Sequence, residues 1–153
     1  MTDTTDIELI DHIGVDLWAA AEAWKTLYTD VMVEQGYGFF GGAGFAILQF
    51  IGPSGARPAD VARRMGISRQ AVQQLVDALE YDGVVERVPD PEDRRGKRIK
   101  LTKIGADAHR AGNAVKRQIE DQLRDALGPG GLTALKAGLR QSCAELRGEP
   151  SDK

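Results

Sequence analysis

At 153 residues and 42% hydrophobic content, the chain is long enough for one domain or one compact subunit, and its composition is ordinary for a globular protein. A single cysteine excludes an intramolecular disulfide framework, and two histidines beside it are too few for a dedicated metal cluster. The net charge of −3 is unevenly spread: residues 1–56 hold one Lys/Arg against eight Asp/Glu, whereas residues 57–103 hold eleven against eight.

Residues 1–6 are expected to be frayed. From about Ile7 to Glu34 a long helix is predicted, with Leu9, Ile10, Ile13, Leu17, Trp24, Leu27, Tyr28 and Val31 on one stripe. Gly36 and Gly38 end it. Phe39 and Phe40 lead into a short apolar helix, Ala43 to Ile51, carrying Phe45, Ile47 and Leu48. Gly52-Pro53-Ser54-Gly55 is a break.

Pro58 opens the next helix, a good first position because its missing N–H would have had no partner there. Val61, Ala62 and Met65 form its apolar side and Gly66 stops it. Ile67 is expected to plug the corner, and Ser68 to cap the helix that follows. Two short helices joined by a tight turn with glycine read as a helix-turn-helix. In the second, Val72, Leu75, Val76 and Leu79 face inward. Arg69, Gln70, Gln73 and Gln74 lie off that stripe, near the helix start. Arginine can grip O6 and N7 of guanine, and glutamine can pair with adenine, so these residue types suit base reading.

Gly83 ends that helix. Residues 84–88 then read as a strand and 98–101 as its partner, joined by a polar loop from Pro89 to Lys97. The loop gathers Arg94, Arg95, Lys97 and Arg98 on a projecting tip, a cationic finger suited to the narrow minor groove of A/T-rich DNA. Asp93 is expected to hydrogen-bond a neighbouring arginine and fix its direction. Thr102 then caps a helix running to about Leu127, with Ala108, Ala111, Val115, Ile119, Leu123 and Leu127 on its stripe. Gly128-Pro129-Gly130-Gly131 breaks the chain again. The last helix, Leu132 to about Leu146, places Leu132, Leu135, Leu139, Cys143 and Leu146 at intervals of three and four, and the tail GEPSDK is expected to be disordered.

The run GISRQAVQQLVDALEYDGVVERVPDPEDRRGKRIKLTKIG resembles bacterial MarR-type transcriptional regulators. Asp93 and Arg95 meet that family's Asp-x-Arg wing core. Leu101, Thr102 and Gly105 meet its Leu-Thr-x-x-Gly turn. The resemblance covers about a third of the chain. It implies a mainly α fold with a small β-hairpin wing, intertwined terminal helices, and a homodimer that binds double-stranded DNA. The division expected is 1–52 for N-terminal helices, 53–103 for the winged helix-turn-helix, 104–147 for C-terminal dimerisation helices and 148–153 for the tail. Two recognition helices about one DNA turn (~34 Å) apart would read an inverted repeat. In that reading Arg69, Gln70, Gln73 and Gln74 face the major groove, and Arg63, Arg64 and Ser68 touch phosphates. Arg95, oriented by Asp93, enters the minor groove with Arg94, Lys97 and Arg98 beside it. The function expected is a ligand-responsive repressor. Its rivals are a protein-interaction module on the same fold, an activator, and a sensor of oxidants or metals.

The aromatic residues of the first third read first as core. Regulators of this type take up small, often aromatic or phenolic ligands between the terminal helices and the reading unit. Trp18, Phe39, Phe40 and Phe45 are the candidates for such a cleft. Cys143 falls on an apolar stripe and reads as a buried, inert thiol. His12 and His109 lack neighbours at ligand spacing, so no metal and no cofactor is expected, and no nucleophile or phosphate-loop pattern suggests an enzyme. No apolar run is long enough for a bilayer, and the acidic start MTDTTDIE lacks a signal-peptide pattern. A soluble, cytoplasmic, bacterial protein is expected, on the nucleoid when bound to DNA.

Overall fold

The structure, a computed structural model, describes residues 10–148 except Ala43, and the backbone but not the side chain of Arg94. The expected fraying of residues 1–6 and most of the tail lie outside the described residues. The elements are α1 (Ile13–Glu34), a 3₁₀ turn (Gly38–Gly41), α2 (Phe45–Leu48), α3 (Pro58–Met65), α4 (Arg69–Tyr81), β1 (Val85–Asp90), β2 (Asp93–Leu101), α5 (Lys103–Leu127) and α6 (Gly131–Arg147). The fold is mainly helical with one antiparallel hairpin, as the sequence predicts. No helix among the described residues is long and apolar enough to cross a membrane.

The turn chemistry predicted around the helix pair is realised. Gly66 and Gly83 take left-handed backbone angles, φ +67° and +69°, where a side chain would be strained. Ser68 caps α4 by accepting the Ala71 N–H at 3.1 Å, and Thr102 caps α5 by accepting the Gly105 N–H at 3.2 Å. Thr102 Oγ1 also donates to the Gly83 carbonyl at 2.6 Å, tying the end of the hairpin to the end of α4.

The core joins both parts of the chain. Tyr28 and Met32 from α1, Phe40, Ile47, Leu48 and Ile51 pack with Val61, Val72, Val76 and Leu79 of the helix pair. Val84, Val85 and Ile99 from the wing base and Ala108, Val115 and Ile119 from α5 complete the cluster. Ile67 is at the corner as expected, but it stays 36% exposed and only partly fills it.

The apolar stripes of the terminal helices stay largely uncovered in the single chain. On α1 only Tyr28 and Met32 are buried. Ile10 and Ile13, on the predicted stripe, are 71% and 69% exposed, and Trp18 is 74% exposed. On α6 only Leu132 is buried; Leu135, Leu139 and Leu146 face outward. Cys143, expected to be buried, is exposed in the single chain. The apolar spacing is real, but a single copy offers these faces nothing to pack against. The short apolar helix also shrinks, to Phe45–Leu48, and the preceding aromatics form a 3₁₀ turn instead of a plain loop.

Candidate nucleic-acid interface

Burying Val72, Val76 and Leu79 rotates α4 so that Arg69, Gln70, Gln73 and Gln74 are all exposed. Ser68 is exposed beside them; its oxygen accepts the capping bond while its hydroxyl hydrogen remains able to donate. Arg63 and Arg64 are exposed on α3. Arg63 pairs with Asp60 at 2.8 Å, and the Arg64 guanidinium lies 4.8 Å from the centre of the Phe50 ring.

The hairpin differs from its predicted form. Its strands run further toward the tip, and Pro91 and Glu92 alone lie between them. Register is regular from Val85↔Leu101 to Pro89↔Lys97, then jumps to Asp90↔Asp93. Arg94, Arg95 and Gly96 are therefore extra on β2 and bulge from the ladder. Asp93 Oδ1 accepts the backbone N–H of Arg95 at 2.9 Å, so among the described residues it shapes the bulge through the main chain. Arg95 and Lys97 are exposed and take no part in the ion pairs of the described residues. The result is an uncovered face of α4 with polar residues suited to base edges, and a cationic bulge projecting from the adjoining hairpin.

A model of the MarR family matches residues 42–96, from α2 through the bulge. Over these residues the chain is similar to the MarR family's winged helix. An uncharacterized protein of Mycobacterium tuberculosis is 31% identical over 88 residues, covering 58% of this chain and 62% of that protein. The transcriptional activatory protein BadR of Rhodopseudomonas palustris is 40% identical over 52 residues, 34% of this chain and 30% of BadR. The match thus spans less than two thirds of these relatives. Among solved structures, the reduced form of MarR from E. coli aligns with a TM-score of 0.70 at 22% identity, covering 88% of this chain and 98% of that one. A probable transcriptional regulator from Pseudomonas aeruginosa aligns at 0.68 and 24% identity, covering 86% and 96%. At these identities the likeness is one of fold.

The base of this wing holds a charge cluster that the sequence did not disclose. Asp90, at the end of β1, has a side chain only 1% exposed. It accepts from Arg57 Nε, which comes from the N-cap of α3, and from Arg98 Nε on β2 at 3.1 Å. Its Oδ1 also accepts the Glu92 N–H at 3.0 Å. Glu92 pairs with both arginines, at 2.9 Å and 3.2 Å. Beside this cluster, Ala56 and Ile99 exchange two backbone hydrogen bonds, at 2.9 Å and 2.8 Å. The wing is thereby tied to the entry of α3. Arg98, expected at the projecting tip, is 18% exposed and held at the wing base. Arg57 and Asp90 lie 33 residues apart, and no spacing rule connects them.

The Arg57 hydrogen bond, then the Glu92 N–H and Arg98, hold the Asp90 carboxyl well below the usual carboxylate range. A carboxyl depressed in the folded state contributes stability above its unfolded pKa of about 3.9 and loses it as pH falls toward the folded value. Between about pH 5 and about pH 3, the melting temperature of the wild type is therefore expected to fall more than that of Asp90→Asn. Parallel slopes in a pH series of thermal melts would remove Asp90 from the acid transition.

A second feature lies between α1, α2 and α5. A cleft of about 160 Å³ is lined by Trp24, Tyr28, Phe40, Phe45 and Leu48, with Lys25, Gln49, His109 and Lys116 at its edges. Trp24 and Tyr28 stack with centroids 5.2 Å apart, and Phe40 meets Tyr28 edge-on at 5.6 Å. The Lys116 ammonium lies 5.5 Å from the Tyr28 ring centre, and burial lowers its pKa and raises that of Tyr28. Of the four predicted ligand residues, Phe40 and Phe45 line this cleft and Trp18 and Phe39 do not. Trp24 and Tyr28, read only as core, form its wall.

Proposed function

We propose that the chain is a DNA-binding transcriptional regulator that acts as a homodimer on an inverted-repeat operator. The observation that carries this reading is the pairing of an uncovered α4 face, Arg69 to Gln74, with a cationic bulge on a MarR-family wing. Arg69, Gln70, Gln73 and Gln74 meet base edges in the major groove, and Ser68, Arg63 and Arg64 meet phosphates. Arg95 enters the minor groove with Arg94 and Lys97, while Asp93 holds the bulge in shape. Arg98 contributes from the wing base, through its ties to Asp90 and Glu92.

The dimer reading rests on the outward apolar residues at the start of α1 and along α6 (Ile10, Ile13, Trp18, Leu135, Leu139 and Leu146). A second copy placed by a two-fold axis is the simplest cover for such faces. Residues 1–52 and 104–147 then supply the dimer frame and residues 53–103 the reading head. Repression follows where the operator overlaps a promoter. The name of BadR, an activatory protein, favours activation as the second reading.

The aromatic cleft supports a small aromatic or phenolic effector. Such a ligand releases DNA only if it prefers a dimer whose heads are wrongly spaced. A broad phenolic screen in which every compound left operator affinity unchanged would end this part of the reading.

Selection from a random duplex pool is expected to return an inverted repeat, and transcription in vitro from the selected site gives the sign of regulation. Recovery of no sequence above background would favour a protein-interaction role. On the selected site, Arg95→Ala is expected to weaken binding and reduce the slope of log affinity against log salt by about one. An unchanged slope would take Arg95 off the phosphate-lined groove.

A further inference from the structure

Arg87 sits in the middle of β1, yet its side chain turns away from the wing tip and toward α4. It is only 15% exposed, and its guanidinium bridges Glu80 and Asp77, one turn apart on the recognition helix. Its backbone N–H also donates to Glu80, at 3.1 Å. The Asp77 oxygen that takes the arginine, Oδ1, is the one that accepts Nε2 of Gln73, at 3.2 Å. A chain of contacts thus runs from the hairpin, through one carboxylate, to a side chain on the uncovered face of α4.

The chemistry of that carboxylate decides how Gln73 is presented. An ionised aspartate only accepts hydrogen bonds. The nitrogen side of the Gln73 amide must therefore face Asp77, because the flipped amide would set two acceptor oxygens against each other. Asp77 consumes one amide hydrogen. What remains is Oε1, an acceptor, and the second N–H beside it. Arg87 holds the Asp77 carboxylate in place and compensates its charge beside a polyanion.

We propose that Asp77 and Arg87 are positioning residues that lock the amide of Gln73, making it select a base with an exocyclic amine over one with a carbonyl. Adenine satisfies both remaining groups, its N6 donating to Oε1 and its N7 accepting the N–H. Cytosine offers only the N4 donor. Guanine and thymine set O6 or O4 against Oε1 and are disfavoured. The inference rests on the reading above that Gln73 meets a base edge.

Sequence selection with the full-length wild type, Gln73→Ala, Asp77→Asn and Arg87→Met tests it, scored by base preference at each operator position. In the wild type, the base pair that loses its preference on Gln73→Ala is expected to favour adenine over guanine by about fivefold or more. The amide introduced by Asp77→Asn can donate as well as accept, which frees the Gln73 amide to flip. Asp77→Asn should therefore bring that preference near unity at the same base pair and leave the other positions as they were, and Arg87→Met, which releases Asp77 from its seat beside Gln73, should lower it at that base pair alone. A merely structural defect would weaken all sequences alike and leave the ratio unmoved. If Asp77→Asn keeps the preference, or the wild type prefers guanine or thymine there, the lock is refuted while base reading by Gln73 stands. If Gln73→Ala alters no position, base reading by Gln73 fails and the lock with it.

Discussion

Gly105→Ala is expected to lower the melting temperature by about 4–8 °C, corresponding to a loss of about 2 kcal/mol. A Cβ on this residue would stand 2.1 Å from the Val84 carbonyl oxygen and 3.2 Å from a Leu101 methyl. Val84 belongs to the backbone between α4 and β1, so it cannot turn aside as a long side chain could. The same carbonyl accepts the Thr102 N–H at 3.1 Å. Relieving the clash would move the start of α5 off the wing base and strain the cap that Thr102 provides. Alanine gains about 1 kcal/mol over glycine in a helix interior, which offsets part of the cost but not the whole. Thermal or urea unfolding measures the balance. A melting temperature at or above wild type would mean that α5 and the wing base are not held this close.

Leu139→Asp is expected to lower operator affinity by about 10² to 10⁴, the avidity lost when two linked heads become one. Leu139 is 39% exposed in the single chain, and Leu135 one turn before it is 43% exposed. For a monomer, an aspartate at such a position would change little. For a dimer that buries this face, it places a charge in an apolar contact without a partner. Sedimentation gives the oligomeric state and a gel shift on the selected operator gives the affinity. A monodisperse dimer with unchanged affinity would move the dimer contact away from this face of α6.

Local chemistry made the helix-turn-helix and the base of its wing legible. Gly66, Ser68, Gly83 and Thr102 act through bonds a few residues long, so their types and order fixed two helix ends and two caps before any packing was known. The period of Val72, Val76 and Leu79 then set which face of α4 stays uncovered. The same reasoning placed the inward stripe of α5, where Ala108, Val115 and Ile119 are buried.

It was less reliable wherever the outcome hinged on a partner distant in sequence. The stripe on α1 shows that a face is apolar but not what covers it, and in the single chain Ile10 and Ile13 stay exposed. The polar run after Pro89 read as a long loop because nothing local indicated that the strands continue and expel Arg94, Arg95 and Gly96 as a bulge.

The sequence alone determined the order of helices and hairpin, the stops and caps between them, and the outward face of α4, because each follows from interactions within a turn or two of chain. Only the tertiary structure decided that Arg98 and Arg57 close on Asp90, that Arg87 reaches back to Asp77, and that Trp24 and Tyr28 wall a cleft. Those contacts join segments whose separation in sequence carries no information about their separation in space, and packing alone brings them together.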